Sequence, residues 1–270
     1  TFNATINNAA IVGSPIYNSA NLTYWSVPTS SGTGRYYAAS NQTSLFFNDT
    51  TTLQHSLASK SVSQFSSTQT SIGETLTYTL TITFPQGTSV GVNVTENLAP
   101  SLYQNSRLSL VSASITFMGS QLTSTNGLTV GALGNYQDNS FSDGILDTAV
   151  FNFGNVTNAW DNINNVQDTV VITVTALVIN DTVHNIRGNT VGASASVTNS
   201  YRSSPIQVVT PAVTIQEPLL SVGLFINGQT TNTWYGGENV TMTITVAHVQ
   251  SGSPVSTSPA FNLVITNLFG

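Results

Sequence analysis

The sequence predicts an all-β fold made of β-sandwich repeats in tandem, one complete and two partial. Three observations predict it: apolar residues alternate strictly with Thr, no 3.6-residue apolar period persists for three turns, and a strand pattern recurs after about 160 residues. Each element follows from its own residues.

Thr75, Thr77, Thr79, Thr81 and Thr83 interleave with Leu76, Tyr78, Leu80 and Ile82. A period of two with Thr on one face describes a half-buried strand. Phe151 and Phe153 point one way from a second strand, which Gly154-Asn155 is expected to close as a turn. The run Val170-Val171-Ile172-Thr173-Val174-Thr175-Ala176-Leu177-Val178-Ile179 is rich in β-branched residues and reads as a third, more deeply buried strand.

The repeat shows when Gly73-Glu74 is placed on Gly237-Glu238. Leu76, Thr77, Thr79, Leu80, Thr81 and Ile82 then fall on Val240, Thr241, Thr243, Ile244, Thr245 and Val246, so polar and apolar faces coincide. Upstream, the run from Leu53 to Ser59 lies over the run from Ile215 to Ser221, and Asn8-Ala9-Ala10 resembles Asn189-Thr190-Val191. A period of about 160 residues is the size of a whole sandwich domain rather than a solenoid unit. The expected division is 1–56 as the last strands of a preceding repeat, 57–216 as a complete repeat and 217–270 as the first strands of a following one. Residues around His55 and Glu217-Pro218 then serve as linkers, with His55 at the surface. A partial sandwich leaves a sheet edge and an apolar face open, and both invite strands from another chain.

Composition narrows the class of function. Hydrophobic residues make up 40% of the 270 residues, enough for a core, but only 6% are charged, against roughly a quarter in an average soluble domain. Thr, Ser and Asn must keep the surface wet. A net charge of −6 with no basic cluster argues against nucleic-acid or anionic-membrane partners. The absence of Cys excludes a disulfide-stapled scaffold. No apolar run approaches the ~18 residues of a membrane span, and Thr1 opens no leader peptide, so the sequence reads as mature or internal chain cut from something longer.

The complete repeat resembles the tandem surface repeats called domain of unknown function eleven. The resemblance rests on the run from Gly73 to Ile82, on Val94-Thr95-Glu96-Asn97-Leu98, on the run from Phe151 to Asn158, and on Asn185-Ile186-Arg187-Gly188-Asn189-Thr190. It implies immunoglobulin-like sandwiches strung along a long secreted or fibre-forming protein, and it implies no catalytic residues. This chain departs from the usual pattern in having fewer acids and more glycosylation sequons.

Those sequons stand at Asn3, Asn21, Asn41, Asn48, Asn93, Asn155, Asn180 and Asn239. Roughly seven or eight would arise by chance in so Asn-, Ser- and Thr-rich a chain, but all eight use Thr although Ser is nearly as common. N-linked glycans are therefore expected, most accessibly at Asn155 and Asn180, and they would shield open strand edges in place of charge. Asp138, Asp143 and Asp147 share one loop and are weak calcium candidates against the plainer reading of a solvated turn. Lys60, the only lysine, is a minor candidate for an isopeptide crosslink with Asn189 beside Glu96. His55, His184 and His248 belong to no nucleophile motif. Apart from glycans no cofactor is called for.

The sequence thus points to a structural subunit of an extracellular or cell-surface filament or stalk whose partners are copies of itself. The alternative is a carbohydrate-binding or adhesive module, for which Trp25, Trp160, Trp234 and the pair Tyr36-Tyr37 are the available aromatics, unless Trp160 and Trp234 cap the core.

Overall fold

The computed structural model describes residues 3, 6–27, 34–61, 66–103, 107–139, 141–226, 233, 236–237, 239, 241–248 and 263–265. Among them the chain is all-β, with two short 3-10 turns and no α-helix. The first strands are β1 (Pro15–Trp25), β2 (Tyr36–Phe46), β3 (Thr52–Lys60), β4 (Gln69–Ser71), β5 (Thr75–Thr83) and β6 (Gly87–Asn97). They are followed by β7 (Leu108–Met118), β8 (Leu122–Ser124), β9 (Asn135–Gln137), β10 (Thr148–Asn158), β11 (Thr169–Val178) and β12 (Thr190–Val191). The last are β13 (Ser194–Thr198), β14 (Ile206–Val209), β15 (Val213–Gln216), β16 (Leu220–Ile226) and β17 (Met242–His248).

Two sheets make the sandwich. One has the order β3-β5-β11-β7, the other β14-β13-β6-β10-β8 with β9 also paired to β10. The alternation read from Thr75 to Thr83 is realised without a slip: Leu76, Tyr78, Leu80 and Ile82 are fully buried and the Thr face is half-exposed. Leu80 lies opposite Ile172 and Tyr78 opposite Val174 on β11. These residues share one core with Val92 and Val94 of β6 and with Phe151 and Phe153 of β10, from the other sheet. β11 also alternates, with every second residue half-exposed, so it is a central strand buried on one face rather than two.

Local chemistry explains the ends of these strands. Gly73 takes φ +82, and the buried Glu74 accepts hydrogen bonds from the Thr70 hydroxyl (2.7 Å) and the Ser71 amide (3.1 Å), which closes the turn into β5. Gly237, its counterpart in the repeat, takes φ +90. Before β3, Asp49 accepts from Thr51 and is paired with Arg202 at 2.9 Å, tying the lead-in segment to the loop after β13.

Three expectations need correction. Gly154-Asn155 does not end a strand: β10 runs through it, with register shifts on either side and Gly154 at φ +65, as a β-bulge. His55 lies in no linker and not at the surface, because Leu53, His55 and Leu57 alternate on β3 and turn the imidazole into the core. Leu53 and Ile215 occupy different places: Leu53 lies on β3, which pairs with β5, whereas Ile215 lies on β15, which pairs antiparallel with β12 and parallel with β4.

The sandwich takes in β3 to β15, and a two-stranded hairpin follows on either side of it in sequence. β1 pairs with β2 from Pro15 opposite Phe46 to Trp25 opposite Tyr36. β16 pairs with β17 from Leu220 opposite His248 to Ile226 opposite Met242. Neither hairpin shares a sheet with the sandwich.

Candidate functional site

The most reactive residue types lie inside the sandwich. His55 on β3 and Glu96 on β6 approach to 3.1 Å from opposite sheets, both side chains fully buried. The contact is an electrostatic pairing rather than an aligned hydrogen bond. Burial pushes the Glu96 carboxyl up to about 7, against the pull of His55 in the other direction. The Tyr78 ring lies 5.7 Å from the imidazole, and its buried hydroxyl has no hydrogen-bond partner. Burial first, and the neighbouring Glu96 second, raise its pKa. This polar cluster is sealed from solvent, so it serves the core and offers no surface to a substrate. Its signal in the sequence is the run Leu53-Gln54-His55-Ser56-Leu57, whose period of two places the histidine on the apolar face.

No interaction joins Lys60 to the partners considered for it. Its ammonium donates to the carbonyls of Ser66 and Gln69, Glu96 faces His55, and Asn189 donates to the His184 carbonyl at 2.7 Å. The loop carboxylates are engaged with their own backbone. Asp138 accepts from Ser142 and Gly144, Asp143 accepts from Ile145 and faces Arg107 at 3.4 Å, and the buried Asp147 accepts from Asn139 and the Thr148 hydroxyl. Among the described residues no group of three or more His, Cys, Asp or Glu is arranged to hold a metal ion.

The sequons separate by position. Asn3, Asn21, Asn41, Asn48, Asn180 and Asn239 are exposed. Asn21 and Asn41 sit on opposite faces of the first hairpin, since Asn21 pairs with Ser40 and Asn41 with Ala20. Asn93 is half-buried in the middle of a sheet, between Asn152 on β10 and Thr198 on β13. Asn155 is half-buried in the bulge, where its side-chain oxygen accepts from the Gly91 amide at 3.2 Å.

The aromatics do not converge on one patch. Tyr24 stacks on Tyr37 at 5.0 Å across the first hairpin, and Trp25 meets Tyr36 edge-on at 5.4 Å. Trp160 is 52% exposed and so does not cap the core. Trp234 lies outside the described residues.

What the hairpins do present is an uncovered apolar face each. On the second hairpin, Val222, Leu224 and Ile226 stand opposite Val246, Ile244 and Met242, all on one side together with Leu220. Val222 is 71% exposed and Leu224 51%. On the first, Ile16, Ala20, Leu22 and Tyr24 stand opposite Leu45, Asn41, Ala39 and Tyr37. Inside the sandwich the β13–β14 hairpin of one sheet packs on β3 of the other.

No family model matches the chain, and no curated protein does. Similar solved structures include a DUF4466 family protein from Parabacteroides merdae, with 13% identity and a TM-score of 0.32 over 64% of this chain and 48% of that one. Others are the full-length major pilin SpaD from Corynebacterium diphtheriae (13%, 0.32, 65% and 37%) and the pilus backbone from Streptococcus pneumoniae (10%, 0.31, 74% and 51%). The chain spans 37% to 51% of the length of these three structures. Likenesses this low in TM-score carry no argument about function.

Proposed function

We propose that this chain is a structural module of an extracellular filament or cell-surface stalk, in which the second hairpin of one copy meets the first hairpin of the next. The observation that carries the reading is the continuous apolar face of β16 and β17. Covering a Val or Leu side chain completely is worth roughly 1.5–3 kcal/mol, and an apolar patch left open on a secreted surface marks a contact. The sandwich itself supplies the geometry, since it packs the β13–β14 hairpin on β3. By the repeat alignment β17 stands for β5, and the first hairpin takes the place of β13–β14, so two copies would rebuild that contact between them. In this reading N-linked glycans sit on exposed sequons away from the paired faces, such as Asn21 on the opposite side of the first hairpin, and Asn41, on the paired face opposite Ala20, stays bare. The tandem surface repeats that the sequence resembles accord with such a chain of sandwiches.

Light scattering and negative-stain microscopy across a concentration series test the proposal. Linear oligomers are expected for the natural chain, and Leu224→Lys, which places a charge on the apolar face, should abolish them while the sandwich keeps its melting temperature. A natural chain that stays monomeric at high micromolar concentration would sink the proposal.

A further inference from the structure

A cleft of about 530 Å³ opens at one end of the sandwich, between the segment that leads into β3, the β5–β6 turn and the loop after β10. Its volume falls within the roughly 300–1,000 Å³ of small-molecule sites. Trp160 and Phe47 give it aromatic surface, and Thr50, Asn162 and Asn164 give it hydroxyl and amide groups. The loop is firmly built. Asn8 accepts a hydrogen bond from the Trp160 amide at 2.7 Å, and Gln86 donates to Asp161 at 2.6 Å and accepts from the Asn162 amide at 3.1 Å.

The charge of the lining decides the ligand class. Among the described residues that line it Asp168 alone is ionisable, and its carboxylate is buried and occupied by the Asn158 side chain and the Asn165 amide. An anion finds no cation there, and a cation finds no free carboxylate. By contrast, Asn162 and Asn164 are exposed with no side-chain hydrogen bond among the described residues, and Asn162 is held at φ 59, in the left-handed region. A half-exposed indole beside free carboxamides matches a ligand with an apolar C–H face and a rim of neutral hydroxyls. The amides donate and accept at once, which suits vicinal hydroxyls.

We propose that this cleft binds a neutral pyranose sugar, with its apolar face on Trp160 and its hydroxyls on Asn162 and Asn164. The sugar has two sources of the same chemistry: a free oligosaccharide, or a glycan carried on Asn48, which lies between the lining residues Phe47 and Thr50. The assignment is independent of the filament reading, since no residue of either hairpin lines the cleft.

The test titrates the chain, produced without glycans, with neutral hexoses and N-acetylhexosamine oligomers, following the backbone amide resonances of the cleft residues by NMR. Saturable binding is expected, weakened at least tenfold in Trp160→Ala and about threefold in Asn162→Ala, and unchanged in Trp25→Ala. Trp160→Phe, which keeps an aromatic face, should restore part of it. The same titration on chain from a glycosylating host separates the sources. Blocked binding that Asn48→Gln releases assigns the cleft to the chain's own glycan, and unchanged binding assigns it to a free sugar. If no sugar shifts the cleft resonances, or binding survives Trp160→Ala, the proposal is overturned.

Discussion

Replacing Glu96 by Gln should remove a pH dependence that runs opposite to the usual carboxylate pattern. The Glu96 carboxyl is raised from 4.5 to about 7, chiefly by burial. Between those values the unfolded chain has released its proton while the folded chain still holds it. The folded state binds more protons at this group, so its contribution to stability is full below pH 4.5 and is lost as pH rises to about 7. At ~1.4 kcal/mol per pH unit the natural chain loses about 3 kcal/mol across this window. Glu96→Gln keeps the shape and can still face His55 but cannot titrate. Urea unfolding of both proteins from pH 4 to 8.5 gives the difference curve, in which other titrating groups such as Asp49 cancel. The two proteins should converge near pH 4.5, with the variant gaining by about 3 kcal/mol toward pH 8. A flat difference, or a natural chain that gains on the variant as pH rises, would show an ionised Glu96 stabilised by His55 and refute the reasoning.

Tyr78→Phe removes a buried hydroxyl without a partner, so unfolding in urea should show an unchanged or more stable protein, by up to about 1 kcal/mol; a loss of 2 kcal/mol or more would mean the hydroxyl is bonded. Glycopeptide mapping of secreted chain should find Asn21, Asn48 and Asn180 modified, and Asn93 and Asn155 bare. Asn93 is flanked by strands on both sides, and the Asn155 oxygen is taken up by Gly91. Full occupancy of Asn155 would contradict the bond between its side-chain oxygen and the Gly91 amide.

The parts legible in the sequence were those governed by a period of two. The Thr75–Thr83 strand and the inward pair Phe151 and Phe153 depend only on alternation, and alternation survives folding wherever one face is covered. His55, flanked by polar residues, resembles a linker until its phase with Leu53 and Leu57 is counted. The bulge at Gly154 is not legible because glycine supports a positive φ equally in a turn or within a strand, and only the register of the partner strand decides between them. Of the surface, sequons are visible as motifs but their burial is not. The cleft beside Trp160 gathers residues from four separate stretches of chain, and no spacing in the sequence announces it.

The contact proposed between hairpins of successive copies can be tested most directly by crosslinking, because the natural chain has no cysteine. Leu22→Cys, on the apolar face of the first hairpin, and Val222→Cys, on that of the second, are prepared separately, mixed in equal amounts and oxidised mildly. A disulfide-linked dimer is expected in the mixture, containing one copy of each variant by mass, and neither variant alone should give it in comparable yield. If the mixture yields no dimers, or only pairs of identical variants, the hairpins do not join one copy to the next.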